Sequence, residues 1–569
     1  MKKKLLIILT FIGFNSHAQM SFTNSSGDNK WTTPSNWSSG SVPTSTSNVT
    51  ILSGQIVKAD NTTEASVNNI TIDNGGILTI ERNSNLTVSG DFTNNGVVTL
   101  NSDTDEFASI IVDGTSTGNI TYNRYVNIAV DNGSNEWDLV GSPLDGLSIS
   151  SFVTDNNSNL ANNGNGTYAL GYYDNSNDTW TNYTTSSAGN AGDLTLGKGY
   201  QMASASGSTI AFTGTVATSV QTQSVINNAD NGGRRWNLVA NPFPSYINLN
   251  TQAHSINNFL SVNSSVIDGS YLAVYGYDAD GSGYTIYNNT AGDDLSDYIA
   301  PGQAFFIAAA SSSAADISFT TAMRTVSGGD DFVSGRLAQN DWSRFYLRLY
   351  EDENFVAQTK FYFEEGLSLG LDPGYDAGAF NQNMDISSRL PENDQGIGFS
   401  INAMGLDRLE QETIIPLVFK REAGIEFSVS FEDSTIPESV GIYLEDTLLG
   451  TLTDLRAEDF KLTPETDLGD VGRFYLIIGN TRLGGNDLEE SYIGVYKAAS
   501  DDFITIEGIL NVKRLNVQLF NIMGQEVLNT TLQSNQSTQK VSTRGLRKGI
   551  YVIRLQADSS VISKKVIIK

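Results

Sequence analysis

Between residues 49 and 100 the apolar side chains recur in short triplets with threonine at the centre: Val49-Thr50-Ile51, Ile70-Thr71-Ile72, Leu78-Thr79-Ile80, Leu86-Thr87-Val88 and Val98-Thr99-Leu100. The middle three come every eight residues and are divided by Asn, Gly and Ser. Successive side chains of a strand point to opposite faces, so both apolar members of a triplet share a face. Short strands of this kind predict a β-solenoid or β-helix over residues 20–125, each rung burying the apolar face of its neighbour. No helical period is visible there, and a β-sandwich satisfies the same alternation.

A longer period follows. Trp137-Asp138-Leu139-Val140-Gly141-Ser142-Pro143 recurs 99 residues later as Trp236-Asn237-Leu238-Val239-Ala240-Asn241-Pro242. Gly171-Tyr172-Tyr173-Asp174 is echoed by Tyr275-Gly276-Tyr277-Asp278, and Leu196-Gly197-Lys198-Gly199-Tyr200 by Ala300-Pro301-Gly302-Gln303-Ala304-Phe305. Two tandem β-modules, 126–225 and 226–325, or two halves of one domain, are predicted. From 326 to 480 the alternating runs lengthen, as in Phe345-Tyr346-Leu347-Arg348-Leu349-Tyr350, and predict a β-sandwich. Residues 481–490 read as a linker. In 491–569, Leu515, Val517 and Leu519 alternate with polar residues ahead of a turn at Gly524. A second strand should bury Tyr551, Ile553 and Leu555, so these runs fit a small immunoglobulin-like β-sandwich. The fold class expected is all-β and multidomain.

Lys2, Lys3 and Lys4, the apolar run 5–14 and Ser16-His17-Ala18-Gln19 have the order of a secretory signal peptide over 1–18, with cleavage between Ala18 and Gln19. That run is too short to span a bilayer, and no other stretch of about 18 apolar residues predicts a transmembrane segment. The segment 30–43, with Trp31, Trp37 and Pro43, resembles the opening of adhesin-like surface proteins of Bacteroidota. Its tryptophans read either as a sugar-stacking platform or as a cap on the solenoid. Leu371-Asp372-Pro373-Gly374-Tyr375-Asp376-Ala377 resembles part of a sandwich module that sits before the sorting domain in such proteins. The runs 519–527, 546–555 and 564–569, which contain Leu519, Gly524, Gly549, Tyr551, Lys564 and Lys565, resemble the type A sorting domain of type IX secretion cargo. That resemblance implies passage through the periplasm, an outer-membrane translocon as partner, and a final place on the cell surface or in the extracellular space.

The charge narrows the partners. A formal −29 repels nucleic acid and anionic membranes. Residues 504–569 carry net +7, which leaves −36 on the rest and could suit an acidic docking surface. There is no cysteine, and the two histidines are His17, within the signal, and His254, so nitrogen- or sulfur-ligated metals are close to excluded. Calcium needs only oxygens. Asp278, Asp280 and Ser282 offer them at alternate positions, and Asp174 and Asp178 occupy the matching place in the first repeat, although both segments also read as hairpin turns. Gly366-Leu367-Ser368-Leu369-Gly370 has the spacing of a nucleophile elbow, but no histidine follows it to act as base. Residues 192–199 approach a phosphate-binding loop but place Gly199 where Ser or Thr should hold magnesium. No catalytic residue and no cofactor other than calcium is predicted. The function expected is adhesion or surface binding to a glycan or cell-surface ligand, with Trp31, Trp37, Trp137 and Trp236 as candidate contacts that read equally as core, the repeated pair Trp137 and Trp236 above all. A polysaccharide-acting enzyme or accessory module, or a passive matrix component, are the alternatives.

Overall fold

The computed structural model describes residues 19–60, 62–129, 137–231, 233–278, 283–290, 297–326, 328, 342–381, 384–479, 494–497, 502–507, 514–522, 524–533, 538–557 and 560–568. The predicted signal peptide with Ala18, the linker 481–490, and Asp280 and Ser282 lie outside the described residues. Strands dominate, and two short α-helices, Ile149–Asp155 and Phe259–Asn263, interrupt them.

Residues 19–126 wind into a three-sided parallel coil. One side stacks Asn48–Ile51, Asn69–Ile72 and Phe92–Asn94; the next stacks Ile56–Ala59, Ile77–Ile80, Val97–Asn101 and Ile120–Val126; the third stacks Glu64–Val67, Asn85–Val88 and Ser109–Val112. The triplets meet differently from the expectation. Those eight residues apart lie on successive sides of one coil, whereas paired strands of the ladder are 20–24 residues apart, 21 for Asn48 with Asn69, Ile56 with Ile77 and Glu64 with Asn85. The eight-residue period is one side plus its corner, not the step of the ladder. Both apolar members of each triplet point to the axis, where Val49, Ile51, Leu78, Ile80, Leu86 and Val88 are buried, each worth about 1.5–3 kcal/mol.

The N-terminal segment closes the open end of this coil. Gln19–Ser21 adds a parallel strand to Asn48–Ile51. Trp31 and Trp37 are buried, with Trp37 Nε1 donating to Trp31 O at 2.8 Å and Phe22 meeting Trp37 edge to face at 5.0 Å. They form the cap and present no stacking face to solvent.

The two repeats share one topology. Asp138–Val140, Tyr200–Met202, Thr167–Asp174 and Thr179–Thr184 lie side by side in that order, as do Trp236–Ala240, Ala304–Ala308, Val274–Asp278 and Gly283–Tyr287. In each, a second antiparallel pair backs the sheet: Ile120–Val126 with Ser208–Gly214, and Gln221–Val225 with Ala315–Phe319. The helices match as well. Asn156 donates to Phe152 O and Ala211 O and accepts from Ala211 N, while Asn263 donates to Phe259 O and Ser318 O and accepts from Ser318 N. Each of these buried amides ties its helix end to the backing strand and leaves no polar group unpaired.

The modules also bind each other reciprocally. Gly141 N donates to Gly302 O at 2.8 Å, and the equivalent Ala240 N to Gly197 O at 2.9 Å; Val140 bridges Gln303 as Val239 bridges Lys198. When residue i meets j and j meets i, the contact is that of a two-fold interface, here within one chain. Strand Ile120–Val126 is at once the last rung of the coil and an edge of the first module, so one core runs through both. Arg124 Nε donates to Pro301 O at 3.1 Å, and Arg324 Nη1 to Val112 O at 2.9 Å, which fasten the coil to the second module as well.

Residues 342–479 form a single sheet running from the edge strand Thr451–Asp454 to Phe460–Leu462, antiparallel except where Asn354–Glu364 meets Phe399–Gly405. It curls over one core, to which strands from both ends contribute, Leu444 from one and Phe460 from the other. Phe345, Leu347 and Leu349 point into that core, while Tyr346 faces the second module. The C-terminal domain packs a three-stranded against a four-stranded sheet around Ile504, Leu519, Tyr551, Ile553 and Leu555.

Candidate functional site

The second faces of the two module sheets meet each other and the sandwich, and aromatic rings line the rim of that junction. Two cross-strand pairs supply them, a favoured arrangement on pleated sheets. Tyr173 lies opposite Trp180 in the first hairpin with ring centroids 5.3 Å apart, and Tyr277 opposite Tyr284 in the second at 5.4 Å. Phe306 sits between the pairs, 6.1 Å from Trp180 and 5.8 Å from Tyr284. Phe380, from the sandwich, stacks on Tyr284 at 3.9 Å and on Trp236 at 4.4 Å. Phe306 and Trp236 are buried, whereas Trp180 and Tyr284 remain 37% and 36% exposed. Each of these two rings keeps part of its surface open to solvent.

Polar groups border the rings. Tyr173 Oη donates to Asp178 Oδ1 at 2.8 Å, and Arg234 holds Asp178 Oδ2 at 2.8 Å. Burial, and then the bond to Asp178, push the Tyr173 phenol up, and burial does the same to Tyr284. Both phenols are neutral over the physiological range. Gln201 Nε2 donates to Asn182 Oδ1 at 2.6 Å; Asn182 lies two residues along the strand from Trp180 and therefore on the same face.

The candidate calcium residues divide. Asp174 accepts from Ser176 N, Ser176 Oγ and Asn177 Nδ2, which together hold its carboxyl below the usual range. Asp178 faces the Arg234 guanidinium, a cation that opposes a second cation at that carboxylate. Asp278 ends the strand Val274–Asp278, and its partners Asp280 and Ser282 lie outside the described residues. Among the described residues no group of three His, Asp or Glu is placed to hold a metal ion.

The segment 366–370 forms a turn in which Ser368 Oγ donates to Asp372 Oδ2 at 3.0 Å, without the strand-to-helix bend of a nucleophile elbow. Lys198 crosses to the second module as a bridge partner of Val239, its ammonium over Tyr172 at 4.9 Å. Of the four tryptophans singled out in the sequence, Trp31, Trp37 and Trp236 are buried and Trp137 is half-buried. Trp180, Tyr284 and Phe380 are not among the residues that the sequence pattern singled out. The signal was present: Tyr173 and Trp180 recur as Tyr277 and Tyr284 at one 104-residue offset, with only the ring type changed.

In the C-terminal domain Leu519 and Tyr551 are core, and Tyr551 Oη donates to Arg547 O at 2.6 Å. Gly524 takes a turn at φ 78°, a conformation that favours glycine, and Gly549 opens the strand Gly549–Ala557. Lys564 and Lys565 are exposed on the last strand, Ser560–Ile568. Gln19 is the first residue of Gln19–Ser21.

A family described as a domain of unknown function (DUF8693) matches residues 22–477, and the secretion system C-terminal sorting domain matches residues 495–569. No curated protein matches the chain. Among solved structures, the chain is similar to a two-domain fibronectin type III segment from chicken tenascin, at 11% identity over 28% of this chain and 98% of that one, TM-score 0.12. It is also similar to a tetra-tandem repeat in the extending region of a large adhesion protein, at 10% identity over 71% and 92%, TM-score 0.11. At such TM-scores neither likeness bears on what the chain does. No described helix is long and apolar enough to cross a membrane.

Proposed function

We propose, for a chain that belongs to the DUF8693 family and is type IX secretion cargo by its C-terminal sorting domain, that the body is a non-catalytic binding protein that attaches to glycan at the cell surface or in the extracellular space. The observation that carries this reading is the junction rim, where Trp180 and Tyr284 stay more than a third exposed although each is packed against other rings. An aromatic face beside hydroxyl, amide and carboxylate groups is the chemistry that holds a sugar, the ring stacking on its C–H surface and the polar groups meeting its hydroxyls. The formal charge of −36 outside the C-terminal segment argues against nucleic acid and anionic membranes as targets.

The test is retention of the secreted protein on a glycan array and on whole cells, with calcium and with chelator. The wild type should be retained without converting the glycan, and Trp180→Ala should weaken retention by about tenfold, corresponding to about 1.4 kcal/mol. Release of reducing ends from a polysaccharide, abolished by one carboxylate substitution, would replace this reading with an enzymatic one. Retention lost only in chelator would support calcium as a ligand of Asp278, Asp280 and Ser282.

A further inference from the structure

We infer that the junction takes a neutral oligosaccharide laid across both modules, with one pyranose ring on Trp180 and another on Tyr284; this rests on the glycan-binding reading above. The two rings are equivalent positions of the repeat, each opposite a tyrosine in its own hairpin, and Phe306 fills the space between them. From the two distances to Phe306, Trp180 and Tyr284 are at most about 12 Å apart centre to centre. A duplicated stacking position therefore gives two subsites on one surface, and linked sugars gain from the second by effective concentration, without any new kind of contact.

The charge around the rings selects against acidic sugars. Asp178 stands at the rim, held by the Tyr173 hydroxyl and by the Arg234 guanidinium. The amides of Asn182 and Gln201, on the Trp180 side, offer donors and acceptors to uncharged hydroxyls. An incoming carboxylate or sulfate would meet acceptors and a guanidinium already engaged by Asp178, and would give up its hydration with no counter-charge to replace it.

The experiment is a titration of the full secreted chain with neutral oligosaccharides of increasing length, and with oligogalacturonates of matching length, read by tryptophan fluorescence and calorimetry. Affinity for the neutral series should rise at least tenfold from monosaccharide to tetrasaccharide, and the acidic series should bind at least tenfold more weakly. Trp180→Ala and Tyr284→Ala should each remove the gain with length, while Trp180→Phe, which keeps a ring, should retain most of it. The wild-type length series is decisive by itself, independent of how the variants fold. Equal affinity at all lengths, or acidic ligands binding as well as neutral ones, would overturn the inference and leave glycan binding standing. Neutral binding unchanged in both alanine variants would overturn the inference and move any glycan site away from the junction, and no binding to any glycan would overturn both.

Discussion

Asp376 is buried beneath the junction, with Oδ1 accepting from Ala403 N and Oδ2 from Asp372 N, each at 2.7 Å. Burial pushes its carboxyl up to about 7, against the two backbone donors that pull it down. In the unfolded chain an aspartate titrates near 3.9. The folded state thus keeps the proton through a range in which the unfolded state has lost it. The stability this gives is full below about 4 and is lost as pH rises toward 7. Between pH 4.5 and 7 the wild type should lose more stability than Asp376→Asn in denaturant titrations; parallel slopes would show that the carboxyl is ionised throughout. Nothing in the segment 371–377 announces this, because the desolvation comes from strands distant in sequence. The tryptophans teach the same lesson. Trp31 and Trp37 look alike in sequence to Trp180, yet two are buried in a cap and one edges a junction, and only the packing around each decides which.

Among elements, the triplets were legible because alternation is a local property of a strand: every apolar member of the coil's triplets points where the period of two puts it. Which triplet bonds to which was not legible from the eight-residue spacing, since the corner lengths of a three-sided coil set the partner 20–24 residues away. The paired modules were visible as a repeat, but their mutual contact was not. At the axis relating them Gly141 faces its own equivalent, Ala240: a Cβ at 141 would lie 2.3 Å from the Ala240 Cβ and 2.7 Å from Lys198 O. The backbone at Gly141 is not left-handed, so the constraint is purely one of space. Gly141→Ala should cost about 1–3 kcal/mol in thermal or chemical denaturation, the usual range for overpacking. Adding Ala240→Gly should recover part of that loss. An unaffected single variant would mean that the modules separate easily and that their two-fold contact adds little.

For the whole molecule, the family match over 22–477 coincides with the stretch in which the coil, both modules and the sandwich share interfaces, from Arg124 on Pro301 to Tyr275 Oη on Gly378 O at 2.7 Å. The C-terminal domain is matched separately and has its own core. The sorting domain and the proposed glycan site therefore belong to different parts of the chain. A chain lacking residues 495–569 should accumulate in the periplasm, visible by fractionation, with its glycan affinity intact; appearance of that truncated chain at the surface would contradict sorting by this domain. The sequence by itself determined the all-β class, the repeat and the sorting domain, because alternation, recurrence and short motifs are written in neighbouring residues. Only the tertiary structure decided where the rings of Trp180, Tyr284, Phe306 and Phe380 meet. They come from two hairpins, a central strand and a sandwich loop, and exposure depends on what long-range packing covers, which no local pattern records.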